Sequence, residues 1–451
     1  MPMMQALMLP LLRIAAIGTP LPSTRQLDIL SRERGLSQFM HFSVNQFDVK
    51  NHTQHNCVGY GPCLPASLFN PTNLSTDQWV QTAVAFGAEE ICLTAHHEGG
   101  FALWDTQYSN YSVMHSPYGK DVVAQFVASC KKYGVKPCYY FGPNANGFFV
   151  THNYSADQFV AAQLGEMTEL LTKYGNDYVS RLWIDHWDRA AGKCWNGRSP
   201  KVGPNPVLCP PGAFPTYSTM DRFIKAVRKL SPSTIVCPGP DCDTGYRHLG
   251  LPAYPKWYPC VQTTVKGTGQ PLCTEHVKSN STSGFHPYTY NSAMTGGWFI
   301  NGPADDPKTQ SKFWNATRMW HVYMATAGIG SAVSTLNAPP SSTGQIPAKL
   351  AGSMATFGTA LKALLKPVTA SARATNLPRM ACDNTTLATL HLAGGHGGVT
   401  PAAAVQLNAL IAREDLSQGQ CISTHAVDYL PAGNDHDQWE AFERLPECTH
   451  T

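Results

Sequence analysis

Two short segments of the sequence combine histidines, carboxylates and tryptophans directly after apolar runs. They are Leu182-Trp183-Ile184-Asp185-His186-Trp187-Asp188 and His96-His97-Glu98-Gly99-Gly100. Tryptophan rings pack against the apolar C–H face of a pyranose, and carboxylates accept hydrogen bonds from its hydroxyl groups. This combination indicates a sugar site, with Asp185 as the candidate central carboxylate. The tryptophans also suit barrel packing, and a carboxylate after a strand also suits a cap or a turn.

The neighbouring His97 and Glu98 also permit a metal interpretation. A metal site needs at least one further ligand with good geometry, which His41 or Asp185 would supply. A metal-dependent hydrolase is therefore the competing enzyme hypothesis. The absence of a recognisable ligand-spacing motif in the sequence argues against it. The chain also lacks a Gly-x-Ser-x-Gly elbow, which argues against Ser/His/Asp catalysis.

Polar or aromatic residues end five predicted strands. The strands are Ser37–Phe42, Glu90–Ala95, Lys136–Phe141, Arg181–Ile184 and Thr234–Pro238, and the residues at or just past their ends are His41, His97, Tyr140, Asp185 and Asp241. In a (β/α)₈ barrel the carboxyl ends of the strands converge on one mouth, so these residues would become neighbours. Any single one of them is equally explained by the contact of a strand end with solvent.

Longer amphipathic segments separate the predicted strands, a pattern typical of repeated βα units around a parallel sheet. The predicted helices are Asp77–Phe86, Lys120–Tyr133, Ala156–Lys173 and Thr219–Leu230, followed later by Phe313–Ala327 and Pro347–Leu365, with a short run at Ala332–Leu336 between these two. The stretch from Gly250 to Gly297 is rich in Gly, Pro, Ser and Thr and is predicted to form long loops over the mouth. The pattern predicts an α/β fold with a (β/α)₈-like TIM barrel.

The sequence texture changes after Lys366. Short alternating runs near Leu387–Leu392, Val405–Ala412 and Ile422–Tyr429 predict a small, sandwich-like β-rich domain. The predicted organisation is a signal peptide and leader over 1–25, a catalytic barrel over 26–366 and a C-terminal β-rich domain over 367–451 that is incomplete for a sandwich.

Cysteines and glycosylation motifs indicate the compartment. The chain has 14 Cys, none in the paired CxxC sets that hold zinc, so disulfides are expected. Asn-x-Ser/Thr motifs occur at Asn51, Asn73, Asn110, Asn153, Asn280, Asn315 and Asn384. Because Met3–Ile17 is also mostly apolar, we expect a signal peptide and a secreted or luminal protein, whether extracellular, lysosomal or vacuolar.

The charge balance argues against two classes of partner. Lys and Arg number 33 against 30 Asp and Glu, without a run of like charges, so neither nucleic acid nor an anionic membrane is expected to bind. No later segment approaches the roughly 20 apolar residues that span a bilayer. A neutral ligand fits this balance better.

Several segments around the candidate site residues resemble the α-L-fucosidase family of retaining glycoside hydrolases. The similarity runs from about Pro20 to the start of the C-terminal domain and lies chiefly in Phe39–Ser43, Leu93–Trp104, Ser116–Val123 and Leu336–Ile346. The first segment is similar to the family's Phe-x-His-Phe/Trp-Gly strand. The second is similar to its Leu-Thr-Ala-Lys-His-His-Asp-Gly-Phe-x-Leu-Trp motif.

The resemblance implies an exo-acting enzyme that hydrolyses terminal α-L-fucose with retention. Asp185 matches the nucleophile of the family's Leu-Trp-x-Asp segment, and a second carboxylate about 5 to 5.5 Å away serves as acid/base. The implied fucose-contacting residues are His41, His97, Glu98, Tyr140, Trp183 and Arg247. The resemblance implies no metal and no other cofactor, and a fucosylated oligosaccharide or glycoconjugate as partner.

Four departures from the family pattern concern the site. Glu98 replaces the second histidine of the family motif, Gly250-Leu251-Pro252 stands where the acid/base glutamate is expected, Thr289-Tyr290-Asn291 replaces a Glu-x-Asp segment, and Asn301 replaces a histidine. Replacement candidates for the acid/base are Asp241, Asp243 and Glu275, each of which would need a loop to deliver it. The alternative hypothesis is therefore a catalytically weakened fucose- or glycan-binding protein on the same barrel.

Overall fold

A computed structural model describes most of the chain up to residue 364 and two short segments beyond it. The described residues are 24–30, 32, 34–48, 63–97, 99–142, 155–175, 178–184, 217–238, 241–246, 257–258, 260–264, 271–275, 286–300, 304–323, 326, 333–364, 426–429 and 440–444. Residues 1–23 of the leader expected over 1–25, and most of the expected C-terminal domain, lie outside these residues.

A parallel sheet forms the centre of the protein. The strands in chain order are β1 (Leu36–Met40), β2 (Glu90–His96), β3 (Lys136–Phe141), β4 (Arg181–Ile184), β5 (Ile235–Val236), β6 (Asp243–Tyr246), β7 (Trp257–Tyr258), β8 (Cys260–Thr264), β9 (Pro271–Glu275), β10 (His286–Ala293), β11 (Val333–Asn337), β12 (Ala426–Tyr429) and β13 (Glu440–Arg444). The main sheet has the order β5-β4-β3-β2-β1-β11-β10-β6, and each of these neighbouring pairs is parallel.

This strand order is the cyclic order of a (β/α)₈ barrel opened between β5 and β6. A Cys237–Cys242 disulfide lies in the short connection between these two strands. A second disulfide, Cys92–Cys138, joins β2 to β3 at residues that are paired in register. The predicted α/β fold is confirmed, and the curled parallel sheet is consistent with a (β/α)₈-like barrel.

Helices follow most of the parallel strands. They are α1 (Thr24–Leu30), α2 (Thr76–Phe86), α3 (Val122–Tyr133), α4 (Ala156–Lys173), α5 (Tyr217–Leu230), α6 (Pro307–Gln310), α7 (Ala316–Tyr323) and α8 (Ala348–Leu364). Local chemistry fixes their ends. The side chain of Ser75 accepts a hydrogen bond from the Gln78 N–H at the start of α2, and the helix ends at Gly87 with φ of 89°. Asp121 and Gly134 play the same two roles for α3.

The helices bury their apolar faces against the outside of the sheet. Trp79 and Phe86 of α2, and Phe126 of α3, are fully buried in the outer core with Ile91 and Leu93 of β2. Burying side chains of this size is worth about 1.5–3 kcal/mol each, so this layer supplies much of the stability that holds the strands in place.

A buried cluster of charged side chains lies at the amino ends of β2 and β4. Glu90 accepts from Arg181 at 2.6 Å and from Arg32 at 3.0 Å, and the Ser37 hydroxyl donates to it at 2.9 Å. Ser180 also donates to Glu90. Burial alone would raise the pKa of Glu90, but the two arginines and the hydroxyl groups lower it to about 2. Glu90 is therefore a charged, structural residue.

The stretch predicted as long loops contains strands, so that part of the prediction is wrong. β7, β8 and β9 lie there, and β10 inserts between β11 and β6 in the main sheet. β10 escaped recognition because its buried Thr289 and Asn291 are polar, which removes the apolar alternation expected of a strand. The short run at Ala332–Leu336 corresponds to β11.

Only one pair of strands is described in the predicted C-terminal domain. β12 and β13 are antiparallel, and β12 falls within the predicted run Ile422–Tyr429. The runs Leu387–Leu392 and Val405–Ala412 lie outside the described residues. Among the helices of the described ranges, none has the length and apolar character needed to cross a bilayer.

Candidate active site

Three aromatic rings from successive strands form a stack at the carboxyl ends of β2, β3 and β4. The rings of His97 and Tyr140 lie 5.2 Å apart between centroids, and those of Tyr140 and Trp183 lie 5.1 Å apart, with 14° between the planes in both pairs. The strands produce this arrangement because Tyr140 pairs in register with Trp183. All three side chains are buried.

The His41 ring packs against this stack at a steep angle, with 68° to the His97 plane and 59° to the Tyr140 plane. His41 follows directly after β1, and its ring centroid lies 5.7 Å from those of both His97 and Tyr140. Phe39 packs beneath these residues, 4.6 Å from the His41 ring and 5.3 Å from the Trp183 ring. Four predicted site residues therefore come together at the carboxyl ends of β1 to β4, as expected for a barrel mouth.

The side chain of Asn337, the last residue of β11, holds His41 in place. Its amide oxygen lies 3.1 Å from the backbone nitrogen of His41 and 2.9 Å from its Nδ1. Its amide nitrogen donates to the carbonyl oxygen of Trp298 at 2.7 Å. Sequence reasoning did not single out Asn337, since nothing local marks a residue that contacts a partner 296 positions away.

The loop after β10 brings two further aromatic residues to the site. Trp298 lies 4.9 Å from the His41 ring, and Phe299 lies 5.3 Å from His41 and 5.0 Å from His97. Neither Trp298 nor Phe299 was among the predicted site residues. The adjacent pair of large aromatic residues in a Gly-rich stretch was the signal that could have identified them.

The remaining predicted site residues lie outside the described residues. Asp185 is bonded directly to Ile184, the last residue of β4, which pairs in register with Phe141 of β3. Glu98 follows His97 in the chain, and Arg247 follows Tyr246, the last residue of β6. Their roles stay predictions.

Asp241, predicted at a strand end and considered as an acid/base, is held in a salt-bridge network. Arg228 contacts its two carboxylate oxygens at 2.7 Å each, and Arg25 lies 3.2 Å from one of them. The backbone N–H of Val236 donates to it at 2.7 Å. A carboxylate with these partners fastens α1 and α5 to the end of β5, which is a structural role.

A buried carboxyl group and a histidine adjoin the site on the outer side of the sheet. Glu166 of α4 lies 3.4 Å from Nε2 of His96, whose ring stacks on Phe141. Burial raises the pKa of Glu166 well above its ordinary range, and burial lowers the pKa of His96 to about 3. Burial thus disfavours the charged form of each of these two groups.

Within the described residues, no group of His, Cys, Asp and Glu side chains has the arrangement of a metal site. The cluster combines apolar aromatic rings with the hydrogen-bonding nitrogens of two histidines, which are groups that sugar-binding pockets use.

The α-L-fucosidase family model matches residues 31–363, which is well over half of the 451-residue chain. The chain belongs to the α-L-fucosidase family. The matched residues include His41, His97, Tyr140 and Trp183 of the cluster described above. They also include Asn337 and the loop that carries Trp298 and Phe299.

A curated relative agrees with the family assignment. Alpha-L-fucosidase 1 of Arabidopsis thaliana is 28% identical over 336 residues, which cover 72% of this chain and 57% of the relative. The chain thus spans little more than half the length of that fucosidase.

Solved structures share the fold. A Bacteroides thetaiotaomicron protein described as an α-L-fucosidase is 24% identical with a TM-score of 0.57, covering 75% of this chain and 68% of its own. A Ruminococcus gnavus fucosidase solved in complex with fucose is 17% identical with a TM-score of 0.54, covering 77% of this chain and 68% of its own.

Proposed function

We propose that the protein is an exo-acting α-L-fucosidase that hydrolyses terminal α-L-fucose from glycans with retention of configuration. The observation that carries the proposal is the cluster of His41, His97, Tyr140 and Trp183, which lies at the strand ends inside the segment matched by the family model. We also assign a closed (β/α)₈ barrel, a secreted or luminal location and a fucosylated oligosaccharide or glycoconjugate as substrate.

The cluster suits a 6-deoxy sugar. Fucose carries a methyl group where other hexoses carry a hydroxymethyl group, so one edge of the ring is apolar. The apolar rings of Tyr140 and Trp183 complement such an edge. The edges of His41 and His97 provide hydrogen-bonding groups for the sugar hydroxyls.

Asp185 is the proposed nucleophile. Its carboxylate attacks the anomeric carbon, the bond to the leaving oxygen breaks, and a covalent fucosyl-enzyme forms. Water then attacks the same carbon from the face that the leaving group vacated, and the Asp185 carboxylate is released. The two inversions give net retention.

The acid/base of this proposal is an unassigned carboxylate, and Asp243 and Glu275 are the remaining candidates among the three that the sequence offered. Asp241 is engaged by two arginines and a backbone N–H, so it is poorly suited to exchanging protons with a substrate. A proton donor is needed most when the leaving group is a sugar hydroxyl. Losing it typically reduces the rate by about 10²–10⁴-fold.

The proposal is tested with an activated aryl α-L-fucoside and a natural fucosylated oligosaccharide. We expect turnover of both, with α-fucose as the first product in an NMR time course. Turnover of the aryl fucoside alone would instead support the weakened, glycan-binding alternative. Absence of turnover of both substrates by folded protein would overturn the fucosidase proposal.

The nucleophile is tested by substitution and chemical rescue. Asp185→Gly should lose activity on both substrates, and added azide should restore turnover of the aryl fucoside with β-fucosyl azide as product. The matched control is Asp157→Asn, because Asp157 is an exposed carboxylate in the first turn of α4. Full activity of folded Asp185→Gly without azide would exclude Asp185 as the nucleophile.

A further inference from the structure

The hydrogen-bond partners of the Asn337 side chain show which end of its amide is the oxygen and which is the nitrogen. Its nitrogen lies 2.7 Å from the carbonyl oxygen of Trp298, and only the NH₂ end of an amide can donate to a carbonyl. Its oxygen lies 3.1 Å from the backbone N–H of His41, which can only donate. Both contacts require the same orientation of the amide.

That orientation determines the proton on the His41 ring. The third contact joins the Asn337 oxygen to Nδ1 of His41 at 2.9 Å. Since a carbonyl oxygen has no proton to give, Nδ1 must carry the hydrogen. In the neutral imidazole the other nitrogen, Nε2, is then an acceptor.

The backbone of Asn337 is also held firmly. The backbone N–H of Met294 donates to the Asn337 carbonyl at 3.0 Å, and the N–H of Ala338 donates to the carbonyl of Phe39 at 2.9 Å. The side chain is fully buried. The position of the amide is therefore set by β1 and β10 on either side of β11, and it does not depend on a mobile side chain.

We infer that Asn337 is a positioning residue that fixes His41 as the Nδ1–H tautomer, so that Nε2 accepts a hydrogen bond from a sugar hydroxyl. The same amide ties His41 to the loop that carries Trp298, whose ring lies 4.9 Å from the His41 ring. The orientation of the histidine and the position of the aromatic loop are thereby coupled. The inference deepens the proposed fucosidase function and rests on it for the role of the sugar.

The amide also suits a histidine that must stay neutral. A neutral oxygen holds Nδ1–H without the strong stabilisation of the imidazolium form that a carboxylate at the same place would give. Asn337→Asp keeps an acceptor for both His41 N–H groups but adds a negative charge. It should raise the pKa of His41 by about one unit or more.

The decisive experiment combines ¹⁵N NMR of histidine-labelled protein with kinetics. The His41 signals are assigned by their loss in His41→Gln. In the unmodified protein we expect the Nδ1–H tautomer, and in Asn337→Asp a higher His41 pKa. The acid limb of kcat/KM for the aryl fucoside should move to higher pH by a similar amount, with kcat/KM above the new limb within about tenfold of the original.

Thr335→Val is the matched control, because Thr335 lies two residues earlier on β11 and its hydroxyl accepts a hydrogen bond from Arg181 at 3.3 Å. It should leave the tautomer and pKa of His41 unchanged. An Nε2–H tautomer in the unmodified protein would overturn the inference, whether or not the protein is active. Equal loss of kcat/KM at every pH in Asn337→Asp, with no change in the His41 pKa, would reduce Asn337 to a structural role.

Discussion

Tyr140 and Trp183 stack face to face across β3 and β4, with 5.1 Å between ring centroids and 14° between ring planes. Both rings are buried, and Phe39 supports the Trp183 ring from below at 5.3 Å. Such a stack is rigid, because each ring is held by a neighbour on its flank. The stack is therefore pre-organised and apolar, and Trp183 lies two residues before Asp185 in the chain.

Trp183→Phe should weaken substrate use more than it weakens folding. The smaller ring keeps an aromatic face but loses overlap with Tyr140 and with the sugar, so we expect kcat/KM for the aryl fucoside to fall about 2- to 20-fold. Trp79→Phe is the control, since Trp79 is equally buried but donates to the Gly344 carbonyl on the outer side of the sheet. An equal fall in kcat/KM for the two variants would contradict the assignment of Trp183 to the sugar surface.

Asp241→Asn should cost stability and spare chemistry. Removing the charge leaves the partly buried guanidinium of Arg228 without its carboxylate partner, although it keeps its hydrogen bond to the Thr234 carbonyl, and a loss of about 3–5 kcal/mol is the upper range for such a change. Thermal unfolding measures this loss. In the folded protein, kcat on the natural oligosaccharide should stay within a few-fold of the original value.

Asp243→Asn and Glu275→Gln complete that comparison. The variant that removes the acid/base should lose about 10²–10⁴-fold on the natural oligosaccharide and much less on the aryl fucoside, whose leaving group needs little protonation. If Asp241→Asn alone shows this pattern, the structural role of Asp241 is wrong.

Glu90 should make the protein sensitive to acid. Its pKa is lowered from an ordinary value of 4.5 to about 2, so the folded state binds its proton less readily than the unfolded state. The stabilisation is fully present above pH 4.5 and is lost as the pH falls from about 4.5 to about 2. The shift corresponds to a contribution on the order of 3 kcal/mol.

Urea unfolding at pH values from 3 to 7 measures this contribution as the difference between the unmodified protein and Glu90→Gln. We expect the difference to shrink as the pH falls. Asp77→Asn is the control, because Asp77 forms an ion pair with Lys132 at the same 2.6 Å distance but on the exposed surface. A pH-independent difference for Glu90→Gln would contradict the charged state of Glu90.

The sequence was sufficient to predict β3, β4 and α4 with the bounds that the structure has, because each shows an uninterrupted pattern between clear ends. The convergence of barrel strand ends, together with the family motifs, also predicted that His41, His97, Tyr140 and Trp183 lie together, and the structure brings them together. Their roles at the site stay predictions. These predictions rested on local patterns, one rule of topology and the family resemblance.

The contacts that sequence reasoning missed are long-range. Glu90 and Arg181 each begin a strand, and neither neighbourhood indicates that the two charges meet inside the sheet at 2.6 Å. The Asn337–His41 contact joins the last strand of the sheet to the first. β10 was missed for another reason, since its inward Thr289 and Asn291 read as loop residues. In each case polar groups are buried, and hydrophobic periodicity carries no signal for them.

Two glycines of α8 should respond oppositely to alanine. A Cβ at Gly358 would lie 1.8 Å from the carbonyl oxygen of Ala85, so α2 and α8 would have to separate. A Cβ at Gly352 would meet nothing within 4 Å. Because alanine favours a helix interior over glycine by about 1 kcal/mol, Gly352→Ala should raise Tm by a few degrees, whereas Gly358→Ala should lower it by more than that. Thermal unfolding of the two single variants and the double variant measures both effects. Gly352 is exposed and Gly358 is buried, and six residues separate them by about 9 Å along the helix, so their effects should add. An unchanged Tm for Gly358→Ala would mean that α2 and α8 do not approach this closely.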